Sequence, residues 1–426
     1  MKPPSVPLLW FSVLALLLGF GAYAWVLNNG FISDDLVFLD QSLDPAFLPA
    51  HLYSAPSAFR VTADLWFAGV QQLFGYQASG FYVFSILLHV LNALALRSVL
   101  LGRSVDCSAA SLASLLFVVI QNPAEAVAWL SAVNELLVGF FVLAVLWAAH
   151  SSRYLGCLAL YCAALISKES APVVVLLLPL LLCSQAGTRR NPPRWFWYGL
   201  ALMTAAYLTW FVILMDTNFL IQSHFYSLKP KAVVVLTYSL HKLAFPWIYL
   251  ALVLGIPAVR RSASVSERKE LIVTGVWLAF ALCPYIFLIY DIRVPSRHLY
   301  LAAMPGCYLI AQLLRHVGNR RLRWGFVLTF AIANMGYLWL AKDPQYVRRG
   351  RTIHDLAAIL KRERPGCVLV QNFPENPWIA KLSSRFASGW TPEMISVNEP
   401  LSSHKGCVVL RWDPKRKSYE RIDAGD

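Results

Sequence analysis

The chain has 426 residues, 58% hydrophobic and only 14% charged, with a formal net charge of +14 and a mean hydropathy of +0.55. Soluble domains carry roughly 25% charged residues, so this is the composition of a polytopic membrane protein set in a lipid bilayer. Its apolar segments are long and continuous rather than alternating, which excludes a closed β-barrel. The basic excess tracks short loops between apolar runs, as a topology signal does, so a solvated, headgroup-facing role is expected and no nucleic-acid partner.

In chain order, the first apolar run, 7–27, could pass for a signal peptide, but no small-residue cleavage site follows it. It reads as a retained signal-anchor. Just beyond it comes Asn28-Asn29-Gly30-Phe31-Ile32-Ser33-Asp34-Asp35. A paired carboxylate at a membrane surface is costly to keep without a task. One member can act as a general base while the other tunes it or binds a cation; the plain alternative is a solvated loop that caps the next helix.

Ten further spans are expected near 80–101, 107–121, 134–149, 154–167, 171–184, 195–215, 232–257, 270–290, 299–315 and 323–341. The third to sixth of the set are short for a bilayer of about 30 Å. Broken or re-entrant helices survive only around protein or a water-filled cavity, so the middle of the chain is expected to line one. Arg97, Arg103, Arg153, Arg189, Arg190 and Arg194 recur on one side, against Arg60, Lys168, Lys229, Lys231, Arg293 and Arg297 on the other. Together with Arg260, Arg261, Arg268, Lys269, Arg315, Arg320, Arg321 and Arg323 this places the N-terminus in the cytoplasm and a site on the outer face. The run Arg348, Arg349 and Arg351 opposes that orientation unless it binds outer headgroups.

Residues 342–426 are a different material. Ile353–Arg362 reads as a helix, and Gly366-Cys367-Val368-Leu369-Val370 and Gly406-Cys407-Val408-Val409-Leu410 as short buried strands. A small soluble α/β domain is expected there, after a transmembrane domain over 1–341. Cys367 and Cys407 either pair in an oxidising compartment or stay reduced at equivalent strand positions. The other six cysteines read as small buried residues.

Four polar clusters recur on the outer side: Asp34-Asp35 followed by Ala58-Phe59-Arg60 and Leu73-Phe74-Gly75; Asn122-Pro123-Ala124-Glu125-Ala126-Val127-Ala128-Trp129 with Asn134-Glu135; Ser167-Lys168-Glu169-Ser170; and Val294-Pro295-Ser296-Arg297-His298-Leu299-Tyr300-Leu301. Lys168-Glu169 could neutralise itself, Arg297-His298 could snorkel, and Glu125 could face water. Taken together they suit transfer chemistry on a phosphate-linked substrate. Cations hold the leaving phosphate and a carboxylate takes the acceptor's proton.

These residues, with Ile86-Leu87-Leu88-His89-Val90-Leu91-Asn92, resemble the multi-spanning glycosyltransferases of the GT-C fold. The nearest group is that of the mannosyltransferases with lumenal tetratricopeptide tails. The resemblance covers about residues 28 to 315. It implies a GT-C-like bundle of about eleven helices, a polyprenyl-phosphate-linked sugar donor, an outward-facing site and inversion at the sugar carbon. It makes Asp34 the base, with Asp35 as helper or cation ligand; beside the resemblance, the hard oxygen ligands of the Asp34-Asp35 pair suit a Mg²⁺ or Mn²⁺ ion. It makes Glu125 the acid of the second outer loop, and Arg297 and Lys168 the donor-phosphate contacts, with Glu169 beside Lys168. Two positions depart from the pattern: Phe59-Arg60-Val61 stands where Tyr-Arg-Pro is common, and His298 replaces a Tyr. No 34-residue helical repeat follows residue 341, so no acceptor carries over from the tails. A surface-polysaccharide ligase or polymerase is the rival enzyme, and a transporter or scaffold without chemistry the rival from another class. Compact loops point to a bacterial inner membrane, with the tail periplasmic.

Overall fold

The structure is a computed structural model that describes residues 7–42, 60–184, 192–213, 232–288, 294–363, 366–404 and 406–422. Ala58, Phe59, Arg189, Arg190, Lys229, Lys231 and Arg293, weighed above, lie outside these. Six helices are long and apolar enough to cross a membrane, or seven if one bent pair is a single span. Three shorter apolar helices, Cys107–Val119, Tyr154–Leu165 and Ala171–Cys183, fall where short spans are expected. With the 16-residue helix Tyr300–Arg315, each expected apolar run is helical. The chain is an integral membrane protein.

The bundle is built from α1 (Leu8–Tyr23), α2 (Asp35–Gln41), α3 (Val61–Phe74), α4 (Ala78–Gly102), α5 (Cys107–Val119) and α6 (Val133–His150). It continues with α7 (Tyr154–Leu165), α8 (Val174–Cys183), α9 (Arg194–Ile213), α10 (Ala232–Ala244), α11 (Trp247–Ser262), α12 (Val265–Leu282), α13 (Tyr300–Arg315) and α14 (Arg320–Tyr337). Helix starts follow local chemistry. The Asp106 carboxylate accepts from the Ser108 and Ala109 N–H groups, and Ser264 and Glu267 form a reciprocal capping box. The expected span 232–257 is broken: α10 and α11 meet at 76°, at Pro246, which has no N–H to continue the ladder.

Helix α13 is buried along nearly its whole length and packs on α5, α11 and α12, while α4 packs on α6. Close approach is set by small residues; a Cβ on Gly255 would lie 2.7 Å from the Leu313 Cβ. One polar network crosses this core. The His89 Nε2–H donates to the Val118 carbonyl (3.1 Å) and Nδ1 accepts from the Tyr300 hydroxyl (2.8 Å). Asn92 Nδ2 donates to the Tyr300 oxygen (3.0 Å) and to the Leu136 carbonyl (2.9 Å). So His89, Asn92 and Tyr300, picked out by resemblance, tie α4, α5, α6 and α13 together.

At the end of the bundle away from Asp34, two basic residues differ from their expected solvated role. Arg97 and Arg103 are buried. Arg103 pairs with Glu270 (2.8 Å) and donates to the Leu181 carbonyl (2.6 Å); Arg97 donates to Ser111 (3.0 Å) and lies over the Phe11 ring. Both heads are thus engaged inside the protein rather than in solvent. Cys162 and Cys183 are exposed on helix surfaces, against expectation, whereas Cys157 and Cys307 are buried.

The last span does not stop at residue 341. A π-helical turn, Leu338–Lys342, joins α14 to α15 (Asp343–Arg362), one helical path of 43 residues. Tyr346, Gly350, Ile353, Ala357 and Leu360 recur at helical spacing and are buried. Beyond it lie β1 (Val368–Gln371), α16 (Pro377–Leu382), β2 (Ile395–Val397), β3 (Val408–Asp413) and β4 (Ser418–Ile422). The sheet order is β2-β1-β3-β4, parallel except for β4. The two similar sequence pieces are neighbours, Val368 opposite Val408 and Val370 opposite Leu410. Cys367 and Cys407 are disulfide-bonded, which decides between the two alternatives above.

Candidate active site

The acidic pair divides. Asp35 is fully buried. Its Oδ2 accepts from the Ile32 N–H (2.8 Å), and its Oδ1 accepts from the Ser131 N–H (2.7 Å) and shares a 2.5 Å hydrogen bond with the Ser131 hydroxyl. Burial pushes its carboxyl up to about 7 against those hydrogen bonds. Asp35 therefore ties the loop after α1 to the turn that opens α6. Asp34 is exposed, and although it precedes α2 its side chain makes no cap hydrogen bond. Surrounding protein raises its carboxyl, while Arg297, Arg349 and Arg60 pull it back down. A carboxylate that is open to solvent yet crowded by protein sits in a recess.

Glu125 opens the short helical turn Glu125–Ala128. Its carboxylate pairs with Arg297 at 2.7 Å and with Arg349 at 3.9 Å. It also accepts from the Ser296 hydroxyl (3.3 Å) and the Arg297 N–H (3.4 Å). Burial opposes its charge, but Arg297 and Arg349 prevail and hold the carboxyl below its usual range. Both guanidiniums lie on the Trp129 ring, 4.8 and 4.9 Å from its centre, a cation–π arrangement. The Trp129 indole N–H donates to the Ile32 carbonyl (3.4 Å), close to Asp34. Lys242 and Lys342 also feel the Glu125 charge. Arg297 and Arg349 thus share one carboxylate, with both lysines within range of its charge.

A second cluster is sealed. Glu135, wholly buried in the span Leu130–His150, pairs with Lys168 (3.0 Å) and His298 Nδ1 (3.0 Å) and accepts from the Tyr285 hydroxyl (3.0 Å). Lys168 also reaches Glu169 (3.6 Å), and Glu169 reaches Arg60 (3.4 Å). Burial lowers His298 to about 4, against the pull of Glu135, so its ring is neutral at pH 7. Lys168 was expected to meet a donor phosphate. It is buried, and its ammonium pairs with Glu135 and Glu169 inside the protein. Glu169 and His298, likewise expected at substrate, belong to the same network.

Of the expected residues, Asp34, Arg60, Glu125 and Arg297 thus converge around one recess, while Asp35, Lys168, Glu169 and His298 support it. Sequence reasoning misses Arg349 at this site: the sequence offers it outer headgroups or, with one span fewer, the inner side. The helical periodicity through Tyr346, Gly350 and Ile353 could have found it, since it carries Arg349 back along the bundle.

Metal binding was tied to Asp34-Asp35. Among the described residues no group of three or more His, Cys, Asp or Glu could hold an ion. Both Asp35 oxygens are already engaged by hydrogen bonds, so of the pair only the Asp34 carboxylate is open to an ion.

No protein-family model and no curated protein sequence matches this chain. Solved structures do. ArnT from Cupriavidus metallidurans superposes with a TM-score of 0.56 at 12% identity, over 96% of this chain and 93% of its own. The same protein bound to undecaprenyl phosphate gives 0.54 at 14% identity, with equal coverage. The oligosaccharyltransferase AglB from Archaeoglobus fulgidus, in complex with an inhibitory peptide and a dolichol-phosphate, gives 0.52 at 10% identity over 92% of this chain. The chain spans 64% of the length of that archaeal enzyme. At these identities the likeness is one of fold. It holds for 96% of the chain in one comparison, far beyond the quoted motifs: the chain has the GT-C fold.

Proposed function

We propose that this protein is a membrane glycosyltransferase that moves a sugar from a polyprenyl-phosphate-linked donor to an acceptor hydroxyl in the Asp34 recess. The observation that carries the reading is the solvent-exposed Asp34 carboxylate, which feels the charge of three guanidiniums, in a fold shared with proteins solved bound to dolichol-phosphate and undecaprenyl phosphate.

The reaction is a single in-line displacement. Asp34 takes the proton of the acceptor hydroxyl as its oxygen bonds to the sugar's anomeric carbon. The bond from that carbon to the phosphate oxygen breaks on the opposite face, inverting the centre. The lipid phosphate leaves with the electron pair. Arg297 and Arg349 face that phosphate; Glu125 and Trp129 fix both guanidiniums before substrate arrives, so the charge is stabilised without reorganisation. Arg60 completes the positive rim. This assigns to Arg349 the role that the resemblance gave to Lys168. Asp35 holds the loop, and the Glu135–Lys168–His298 network holds Arg297 through its neighbour.

The test is transfer of radiolabelled sugar from native polyprenyl-phosphate-sugar extracts into membranes holding wild type or Asp34→Asn. Label moved by wild type alone supports the assignment. Equal label from both removes Asp34 from the chemistry.

A further inference from the structure

The tail is docked on the loop that carries Asp34. Arg385 pairs with Asp40 (2.7 Å), Phe386 stacks on Phe31 with centres 5.9 Å apart, and His354 packs against Gly30 so closely that a Cβ there would collide with its ring. This brings Glu375, between β1 and α16, to Ser33. The Ser33 hydroxyl lies within hydrogen-bonding reach of both the Asp34 and the Glu375 carboxylates. Ser33 has a φ of 50°, a left-handed conformation that is uncommon outside glycine, asparagine and aspartate, and the docked tail is packed against that loop. Glu375 is half-buried, its Oε2 is shielded from solvent, and among the described residues that atom has no hydrogen-bond partner. A buried acceptor oxygen without a donor is costly and marks a place where a ligand donor fits.

The charge around Asp34 is of two kinds: Arg60, Arg297 and Arg349 are positive, and Glu375 is negative. A phosphate is repelled by a carboxylate, so the Glu375 side is unsuited to the donor's leaving group. We infer that Glu375 is the acceptor-side specificity residue: it receives a hydrogen bond from a second hydroxyl of the acceptor while Asp34 takes the proton of the first. The acceptor class is therefore a polyhydroxylated one, a glycan or polyol, rather than an isolated hydroxyl. Disulfide Cys367–Cys407 joins the ends of β1 and β3 and steadies the strand that leads to Glu375. The inference rests on the proposed transfer reaction.

The test uses the full-length protein in membranes and the solvent extract that accepts label from wild type, titrated as acceptor. Binding of undecaprenyl phosphate to purified protein reports the donor side. Glu375→Gln is expected to raise the half-saturating amount of extract by about 10-fold or more, the loss of one hydrogen bond to a charged group. Maximal rate and undecaprenyl phosphate binding stay within about twofold, and Glu375→Asp recovers part of the loss. A merely structural role predicts the reverse: a lower maximal rate and a lower Tm with half-saturation unchanged. An unchanged half-saturation in a variant with wild-type Tm, or a parallel fall in undecaprenyl phosphate binding, overturns the assignment. Full transfer by Asp34→Asn overturns the base instead, while the Glu375 titration still reads acceptor contact. No transfer by wild type overturns both.

Discussion

Two charged clusters lie side by side in this protein and have opposite constructions. Around Glu135 every charge is sealed and matched: Lys168, His298 and Tyr285 surround a carboxylate with no solvent exposure. Around Asp34 the charges are partly open and unevenly matched: Arg297 and Arg349 share the Glu125 carboxylate, and the Asp34 carboxylate faces solvent. A buried matched pair fixes geometry, and removing one partner strands the other. An open unmatched set has charge left for a ligand. In the sequence both read alike, as acids and bases in loops expected on the outer side; burial is what separates them.

Breaking the sealed cluster should produce the largest loss of stability. Lys168→Met leaves Glu135 charged and buried, and should cost about 3–5 kcal/mol, read as a large fall in Tm in detergent. If Lys168→Met instead keeps its Tm and loses undecaprenyl phosphate binding, the two clusters have been assigned the wrong way round.

A smaller effect is expected from Asp35, read against pH. Its carboxyl is raised from 3.8 to about 7. The folded protein thus keeps a proton there that the unfolded chain has lost. The contribution is full below about pH 4 and is lost as pH rises through about 7. Tm should decline over that window in wild type, and Asp35→Asn should flatten the decline. A steeper decline in the variant would contradict the burial argument.

Next comes the open cluster. Arg349→Ala should weaken undecaprenyl phosphate binding by about 10-fold, one charge-assisted contact, with little change in Tm. The smallest effect belongs to the rim: Arg385→Ala breaks an exposed pair with Asp40 and should cost no more than about 1 kcal/mol. A larger cost would mean that tail docking depends on that one contact.

Much of the architecture is legible in the chain. Continuous apolar runs mark each span, and the twin Gly-Cys-Val pieces mark two strands that pair in register. The boundary at 341 is not legible, because apolarity ends there while helical periodicity does not; Tyr346 to Leu360 continue the buried face with polar residues between. The Asp34-Asp35 pair is legible as a pair, but its division of labour is not. Adjacent residues point different ways, and only tertiary contact with Ser131 turns Asp35 inward. Glu135 sits in a noted motif without a role, since its partners Lys168 and His298 are far away in sequence. Glu375 carries no signal at all: Pro374-Glu375-Asn376-Pro377 reads as an ordinary turn, and its meaning comes from the docking of the tail.

The most direct measurement is label transfer by Asp34→Asn and Asp35→Asn, each at known Tm, beside wild type. The account predicts that Asp34→Asn keeps the wild-type Tm and loses transfer by about 10²–10⁴-fold, the contribution of a general base, while Asp35→Asn lowers Tm. Transfer that survives in a folded Asp34→Asn, or a Tm that falls together with its activity, would contradict it.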